Sequence, residues 1–285
     1  MTDSKPIQFF PDVTCSLEKA QIVLVPVPYD GTSTWGKGAD QGPDAIIRAS
    51  EHLEAYDIET RYEVSDHGFY TDAPVKENQS PEAMTQAVYT RVKQRLDQNK
   101  FCIVLGGEHS VSIGAAQAHA EKFSDLTVLQ LDAHSDLRDE YHGSKYNHAC
   151  VMARIRQWCS VVQVGIRSMD ATELSRVKPD RMFFAEDIMG QSVWVERAIE
   201  KMASNVYVTI DLDVFDSSLM PSTGTPEPGG LFWYDVMRFL RRVCKERRIV
   251  GFDVVELCPN KDNRAPDFMA SKLLYKFASY IFSAH

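Results

Sequence analysis

Two apolar, β-branched runs in this chain each end abruptly in acidic residues, and few folds can satisfy both at once. Leu126-Thr-Val-Leu-Gln-Leu131 runs into Asp132-Ala-His-Ser-Asp136, and Val206-Tyr-Val-Thr-Ile210 runs into Asp211-Leu-Asp213. A strand points its side chains at i, i+2 and i+4 to one face. If the extended backbone persists past the last apolar residue, Asp132, His134 and Asp136 converge on one point, and Asp211 and Asp213 do likewise. Five ligand-type side chains at two strand ends exceed the needs of one divalent ion, so the pattern predicts a two-metal centre.

The two runs belong to a longer alternation of short apolar segments and amphipathic stretches. Candidate strands cover 22–27, 101–105, 126–131, 161–165, 182–184, 206–210 and 249–255. Helical patterns cover 43–56, 81–98, 111–121, 149–158, 193–202, 232–248 and 267–282, two of them opening with Pro43 and Pro81 in the first turn. Such alternation predicts βαβ units, and hence a three-layer α/β/α domain with a mostly parallel central sheet. Ligands bind such sheets at the carboxyl ends of the strands, where the acidic clusters stand. No repeat, low-complexity tract or linker divides the chain, so residues 1–285 read as one domain. The Gly- and Pro-rich segments 29–42 and 221–230 read as loops over the site.

A formal charge of −9 argues against nucleic acid or an anionic membrane as partner, since either calls for a basic patch. It accords with a cationic small substrate. None of the six cysteines forms a C-x-x-C pair, and several lie in apolar runs such as Phe101-Cys-Ile-Val104, so they read as reduced, structural thiols. The opening Met1-Thr-Asp-Ser-Lys5 lacks a signal-peptide apolar region, and no apolar run approaches the ~20 residues of a membrane span. The expected setting is cytoplasmic.

A third element joins the acidic clusters. Leu105-Gly-Gly-Glu-His-Ser110 follows a candidate strand and opens a helix, which brings His109 to the same sheet edge. The combined set, His109, Asp132, His134, Asp136, Asp211 and Asp213, offers two imidazoles and four carboxylates without a thiolate. Such donors suit Mn²⁺ and accept Co²⁺, Ni²⁺, Fe²⁺ or Zn²⁺ as well. Bridging carboxylates would hold two ions about 3.5–4 Å apart and bring a shared water to hydroxide near neutral pH.

On three signatures the chain resembles the ureohydrolases of the arginase/agmatinase family, on the agmatinase side. They are Leu105-Gly-Gly-Glu-His-Ser-Val-Ser-Ile-Gly114, Val128-Leu-Gln-Leu-Asp-Ala-His-Ser-Asp136, and Thr209-Ile-Asp-Leu-Asp-Val-Phe-Asp216 running on through Gly224-Thr-Pro-Glu-Pro-Gly-Gly230. The likeness extends from Pro26-Val-Pro-Tyr-Asp30 to Asp253-Val-Val-Glu256, with one departure, Asp216-Ser217, where the family usually has Asp-Pro. The resemblance implies an arginase-like fold and two Mn²⁺ per subunit. One ion would be held by His109, Asp132, Asp136 and Asp211, the other by His134 and Asp213, with Asp132 and Asp211 bridging. It also implies attack of a metal-bridging hydroxide on the guanidinium carbon, with Glu256 binding the guanidinium, and His148 and Asp136 handling protons. Family members commonly form trimers or hexamers, so a homo-oligomer is expected.

The same resemblance makes agmatine, hydrolysed to putrescine and urea, the leading substrate. Aminopropylagmatine, guanidinobutyrate, guanidinopropionate, formiminoglutamate and arginine stand as alternatives. The segment from Leu137 to Asn147 carries that question. Asp139, Glu140, Tyr141 and Trp35 could meet an ammonium, whereas Arg138 could meet a carboxylate. A metal-dependent deacetylase, which resembles this fold, would need only one Asp-His-Asp site. A non-catalytic metal-binding relative would be expected to have lost ligands.

Overall fold

Every strand pairing in the computed structural model, which describes residues 7–13 and 15–283, is parallel. The eight strands are β1 (Ile22–Val27), β2 (Phe69–Thr71), β3 (Phe101–Gly106), β4 (Leu126–Leu131), β5 (Ser160–Ile166), β6 (Met182–Phe184), β7 (Asn205–Asp211) and β8 (Arg248–Val255). Their order in the sheet is β2-β1-β3-β8-β7-β4-β5-β6. β1 and β4 are buried along their whole length, as sheets covered on both faces require, which is why they read as continuous apolar runs.

Helices α1 (Gly42–Ala49), α2 (Pro81–Asp97), α3 (Val111–Lys122), α4 (Val151–Ile155), α5 (Ala185–Ile188), α6 (Val193–Glu200), α7 (Trp233–Glu246) and α8 (Ala265–Ser283) complete the chain. Alternate strand residues feed two cores. Ile22, Leu24, Ile103, Leu105 and Leu129 pack with residues of α1, α6, α7 and α8, while Val23, Val25, Cys102, Val104 and Val128 pack with α2, α3 and α4. The three-layer expectation holds. α2 shows the local logic: Ser80 accepts a hydrogen bond from the Ala83 N–H at 3.1 Å, Pro81 opens the helix, and Asn99 lies just beyond it at φ 57°.

Sequence periodicity missed β2, which is three residues long and pairs only with β1. Two helices are shorter than expected. α1 gives way to a 3₁₀ turn at Ser50–His52, and Leu53 is already extended, so the pattern does not reach residue 56. Asn147 accepts from the Ala149 N–H and holds His148–Cys150 in a 3₁₀ turn, leaving α4 only Val151–Ile155. Met1–Lys5, read above for a leader, lies outside the described residues. Among the described residues no helix is long and apolar enough to cross a membrane.

His119, on the inner face of α3, is fully buried and packs 4.5 Å from the Tyr207 ring, centroid to centroid. Burial pulls its pKa from 6.5 down to about 4. The unfolded chain therefore takes up a proton near pH 6.5 that the folded chain refuses until about pH 4. The His119 contribution is fully present above pH 6.5 and is lost as pH falls through about 4. Between pH 7 and 4.5 the unfolding free energy of the apoprotein should drop about 2 kcal/mol more than that of His119→Gln. Parallel slopes in denaturant titrations would refute this.

Candidate metal centre

Four adjacent central strands, β3, β8, β7 and β4, deliver the candidate residues at their carboxyl ends. His109 follows β3, Glu256 follows β8, Asp211 closes β7 with Asp213 just beyond, and Asp132, His134 and Asp136 follow β4. The turn that aims His109 depends on Gly107, where a Cβ would come within 1.9 Å of the Tyr29 carbonyl oxygen. That turn is stitched to both neighbours: Gly107 N–H donates to Val27 O at 2.9 Å, and Glu256 N–H donates to Gly107 O at 2.8 Å.

The donors converge, but not by extended backbone. Asp136 holds φ 53° and Glu256 φ 66°, left-handed conformations that are uncommon for residues other than glycine and cluster at functional sites. Residues Leu212–Val214 form a 3₁₀ turn. In consequence the Asp-x-His-x-Asp side chains divide instead of sharing one point. His109 Nδ1 lies 3.1 Å from Asp132 Oδ2, 3.0 Å from Asp136 Oδ2 and 3.3 Å from Asp211 Oδ2. His134 Nδ1 lies 2.8 Å from Asp213 Oδ2 and 3.7 Å from Asp132 Oδ1. Asp132 is common to both groups, whereas Asp211 turns its Oδ1 to the Asp213 N–H at 3.0 Å.

An ion fits the first group. Buried His109 Nδ1 makes no hydrogen bond among the described residues, although three carboxylate oxygens face it. Ligand atoms about 2.1 Å from one ion and at right angles stand about 3 Å apart, the spacing found here. The remaining lone pairs are occupied: Asp132 accepts from Gln130 Nε2 and from the His134 N–H, both at 2.6 Å, and Asp213 accepts from the Ala133 N–H at 2.9 Å.

The electrostatics also call for positive charge. Burial alone would depress the His109 pKa, but the carboxylates of Asp132, Asp136 and Asp211 hold it well above its ordinary value. Burial likewise opposes protonation of His134, yet Asp213 and Asp132 bring it to about 12. Burial and the charge of Asp132 push Asp136 up to about 7, and burial with Asp213 and Asp132 pushes Asp211 well above the carboxylate range.

A cavity of about 250 Å³ opens over these donors and is lined also by His148, Tyr141, Arg138, Asp170, Glu173 and Glu256. The Glu256 carboxylate accepts the His109 N–H through Oε1 at 2.8 Å. Burial and the nearby Glu108 raise its pKa well above the ordinary range. His148 is tied to Thr32, whose Oγ1 lies 3.0 Å from both its Nδ1 and its N–H nitrogen. Burial, then the imidazoles of His134 and His109, lower the His148 pKa to about 4.

The segment after Asp136 is arranged differently from expectation. Asp139 is bound to Arg154 at 2.5 Å and to Arg176 at 3.4 Å, Trp35 is 82% exposed, and the Tyr141 ring is covered by the Arg138 guanidinium at 4.4 Å. Arg138 in turn pairs with Asp170 and Glu173, each at 3.3 Å. Sequence reasoning missed both acids; the Asp170-Ala-Thr-Glu173 capping box was visible, but it pointed to a turn. Both predicted loops do meet over the site, Gly36 N–H donating to Gly224 O at 3.0 Å. Arg167 ties the second loop to the end of β7 through the carbonyls of Asp213 at 2.6 Å and Glu227 at 2.9 Å. Asp216 pins the same loop by accepting from the Gly229 and Gly230 N–H groups at 2.8 and 3.1 Å, so Ser217 in place of proline leaves it anchored.

Comparison with known proteins agrees with this geometry. The N(1)-aminopropylagmatine ureohydrolase of Synechocystis sp. is 37% identical over 97% of this chain and 94% of its own length. The agmatinase of Pyrococcus horikoshii is 31% identical over 92% of each chain. The crystal structure of the agmatine ureohydrolase of Thermoplasma volcanium superposes with a TM-score of 0.88 at 31% identity, covering 99% of this chain and 96% of that one. A model of the Arginase family matches residues 20–279, and the chain belongs to that family.

Proposed function

We propose that the chain is a binuclear metal hydrolase that releases urea from a guanidino compound with a cationic tail. His109, Asp132, Asp136 and Asp211 would hold one ion, and His134 and Asp213 the other. Asp132 and Asp211 would be shared between the two ions. Mn²⁺ is the proposed metal because imidazole and carboxylate donors without thiolate suit it. The ions, when bound, would supply Lewis acidity and an activated water. Glu256 would accept the guanidinium N–H groups through the oxygen not used by the His109 N–H. Water adds at the guanidinium carbon, the C–N bond to the tail breaks, and the leaving nitrogen gains a proton. Asp136 would hold the proton taken from water and return it to the leaving nitrogen, and neutral His148 would serve as a proton carrier between the cavity and the product amine.

The charge state of Arg138 carries the substrate reading. With Asp170 and Glu173 both paired to it, the cavity side chains among the described residues leave no free arginine or lysine for a carboxylate tail. An arginine, guanidinobutyrate or formiminoglutamate tail therefore fits less well than an amine. Among amine tails, N(1)-aminopropylagmatine takes the lead over agmatine, the first choice from sequence, because the Synechocystis protein, at 37% identity against 31% for the Pyrococcus agmatinase, is a ureohydrolase of that compound. Agmatine stays as the second reading on the strength of the Pyrococcus and Thermoplasma proteins. Six free cysteines support a reducing, cytoplasmic setting. A homo-oligomer, trimer or hexamer, is proposed by family resemblance.

Mn²⁺-loaded protein should release urea from N(1)-aminopropylagmatine with a kcat/KM at least ~10-fold above that for arginine or guanidinobutyrate. A preference for either carboxylate-bearing compound would overturn the tail assignment, and no urea from any of them would overturn the reaction. Asp132→Asn removes the shared charge, so metal analysis should find bound Mn²⁺ falling from two ions per chain to one or none. In Glu256→Gln the amide can keep Oε1 for the His109 N–H but turns a donor toward the cavity. Two ions should stay bound while kcat/KM falls about 10- to 100-fold; unchanged kinetics would remove Glu256 from substrate binding.

A further inference from the structure

His109 uses one ring nitrogen on the carboxylates, and the other enters a buried chain of hydroxyl groups that ends on Asp253. Its Nε2 lies 2.9 Å from Thr209 Oγ1, and Thr209 Oγ1 lies 2.6 Å from Asp253 Oδ1. The other Asp253 oxygen receives the Tyr207 hydroxyl at 2.7 Å. Thr209, Asp253 and Tyr207 are all 0% exposed, so bulk water does not compete. The arrangement is built into the sheet. Thr209 and Asp253 are register partners in the β7–β8 pairing, and Tyr207, Thr209 and Asp211 share one strand face.

The direction of each hydrogen bond follows from donor chemistry. A carboxylate only accepts, and a hydroxyl has one proton to give. Thr209 must therefore spend its proton on Asp253, and its oxygen can then only accept from His109. A neutral imidazole, the form that binds a metal, must then carry its proton on Nε2, which leaves the lone pair on Nδ1. Ser112 Oγ, 3.3 Å from Thr209 Oγ1, is a second acceptor for the same proton, but the charged Asp253 oxygen at 2.6 Å is nearer and takes it. Tyr207 occupies the far oxygen and keeps the carboxylate from turning away.

We infer that Asp253 is a positioning residue: through Thr209 it fixes His109 as the Nε2–H tautomer and so presents Nδ1 to the first metal position. This rests on the two-metal reading. Neither Thr209 nor Asp253 is itself among the candidate ligands. Outer partners of this kind commonly change metal affinity 10–100-fold when removed.

The test is a Mn²⁺ titration of wild type, Thr209→Ser and Thr209→Val, with apoprotein melting as a check on folding. Thr209→Val should bind one of the two ions about 10–100-fold more weakly while melting close to wild type, and Thr209→Ser should restore affinity to within about 3-fold. Equal affinity in a folded Thr209→Val overturns the inference. The second measurement needs no variant: in ¹⁵N-histidine-labelled wild type loaded with Zn²⁺, His109 should show a slowly exchanging proton on Nε2. A proton on Nδ1, or none on Nε2, overturns it whatever the variants do. Failure of the relay alone leaves metal binding intact, whereas a wild-type chain that binds no divalent ion sinks the two-metal reading together with this inference.

Discussion

The carboxylates of Asp132, Asp136, Asp211 and Asp213 are held together in an interior where even one unpaired carboxylate is expensive. Each is 6% exposed or less. Burying a single uncompensated charge costs several kcal/mol, and neighbouring like charges add to that. The surrounding architecture answers this demand. Backbone N–H groups of Ala133, His134 and Asp213 point at the carboxylates, Gln130 donates to Asp132, and His109 and His134 stand among them. The parallel sheet makes this possible, because four adjacent strands deliver their carboxyl ends to one edge.

How far this was readable from sequence differs by residue. Continuous apolar runs betray strands buried on both faces, so β1, β4 and β7 could be placed within a residue, and the clusters just beyond β4 and β7 contain the side chains that the fold brings together. The directions in which those donors point could not be read. They depend on the left-handed turn at Asp136 and the 3₁₀ turn after Asp211, and neither leaves a glycine as a signal. Asp170 and Glu173 were hidden for another reason. Their capping box explains them locally, and only the tertiary fold brings Arg138 against them. Thr209 and Asp253 did leave a trace, as polar side chains inside otherwise apolar strands, a pattern that asks for a buried partner.

The loops divide the remaining work. Segment 29–42 supplies Thr32 to His148, and segment 221–230 supplies Gly224 beside Glu256, where a Cβ would stand 3.3 Å from Oε2. Neither loop is free to drift. Lys37 and Gly38 donate to Asp30 at 3.1 and 2.7 Å, and Arg167 and Asp216 hold the other loop at its base. Rigid loops over a rigid sheet edge keep the reacting groups at fixed spacing, and that positioning lowers the entropic cost of the reaction.

Charge counting then favours a cationic substrate independently of any relative. On the proposed reading, four aspartates contribute −4 and two divalent ions +4, so the metal centre itself is balanced. Glu256 remains, buried beside the cavity with Glu108 close enough to raise its pKa further. Glu108 is already committed to the Ser110 N–H and hydroxyl at 2.9 and 2.7 Å, so Glu256 is the carboxylate left to face an incoming group. A neutral amide would leave it either charged without a partner or protonated. A guanidinium restores balance and offers N–H donors to the Glu256 oxygen that the His109 N–H leaves free. A buried carboxylate without a cation to face is unfavourable, and it therefore favours a permanently charged planar cation over an ester or amide of similar size.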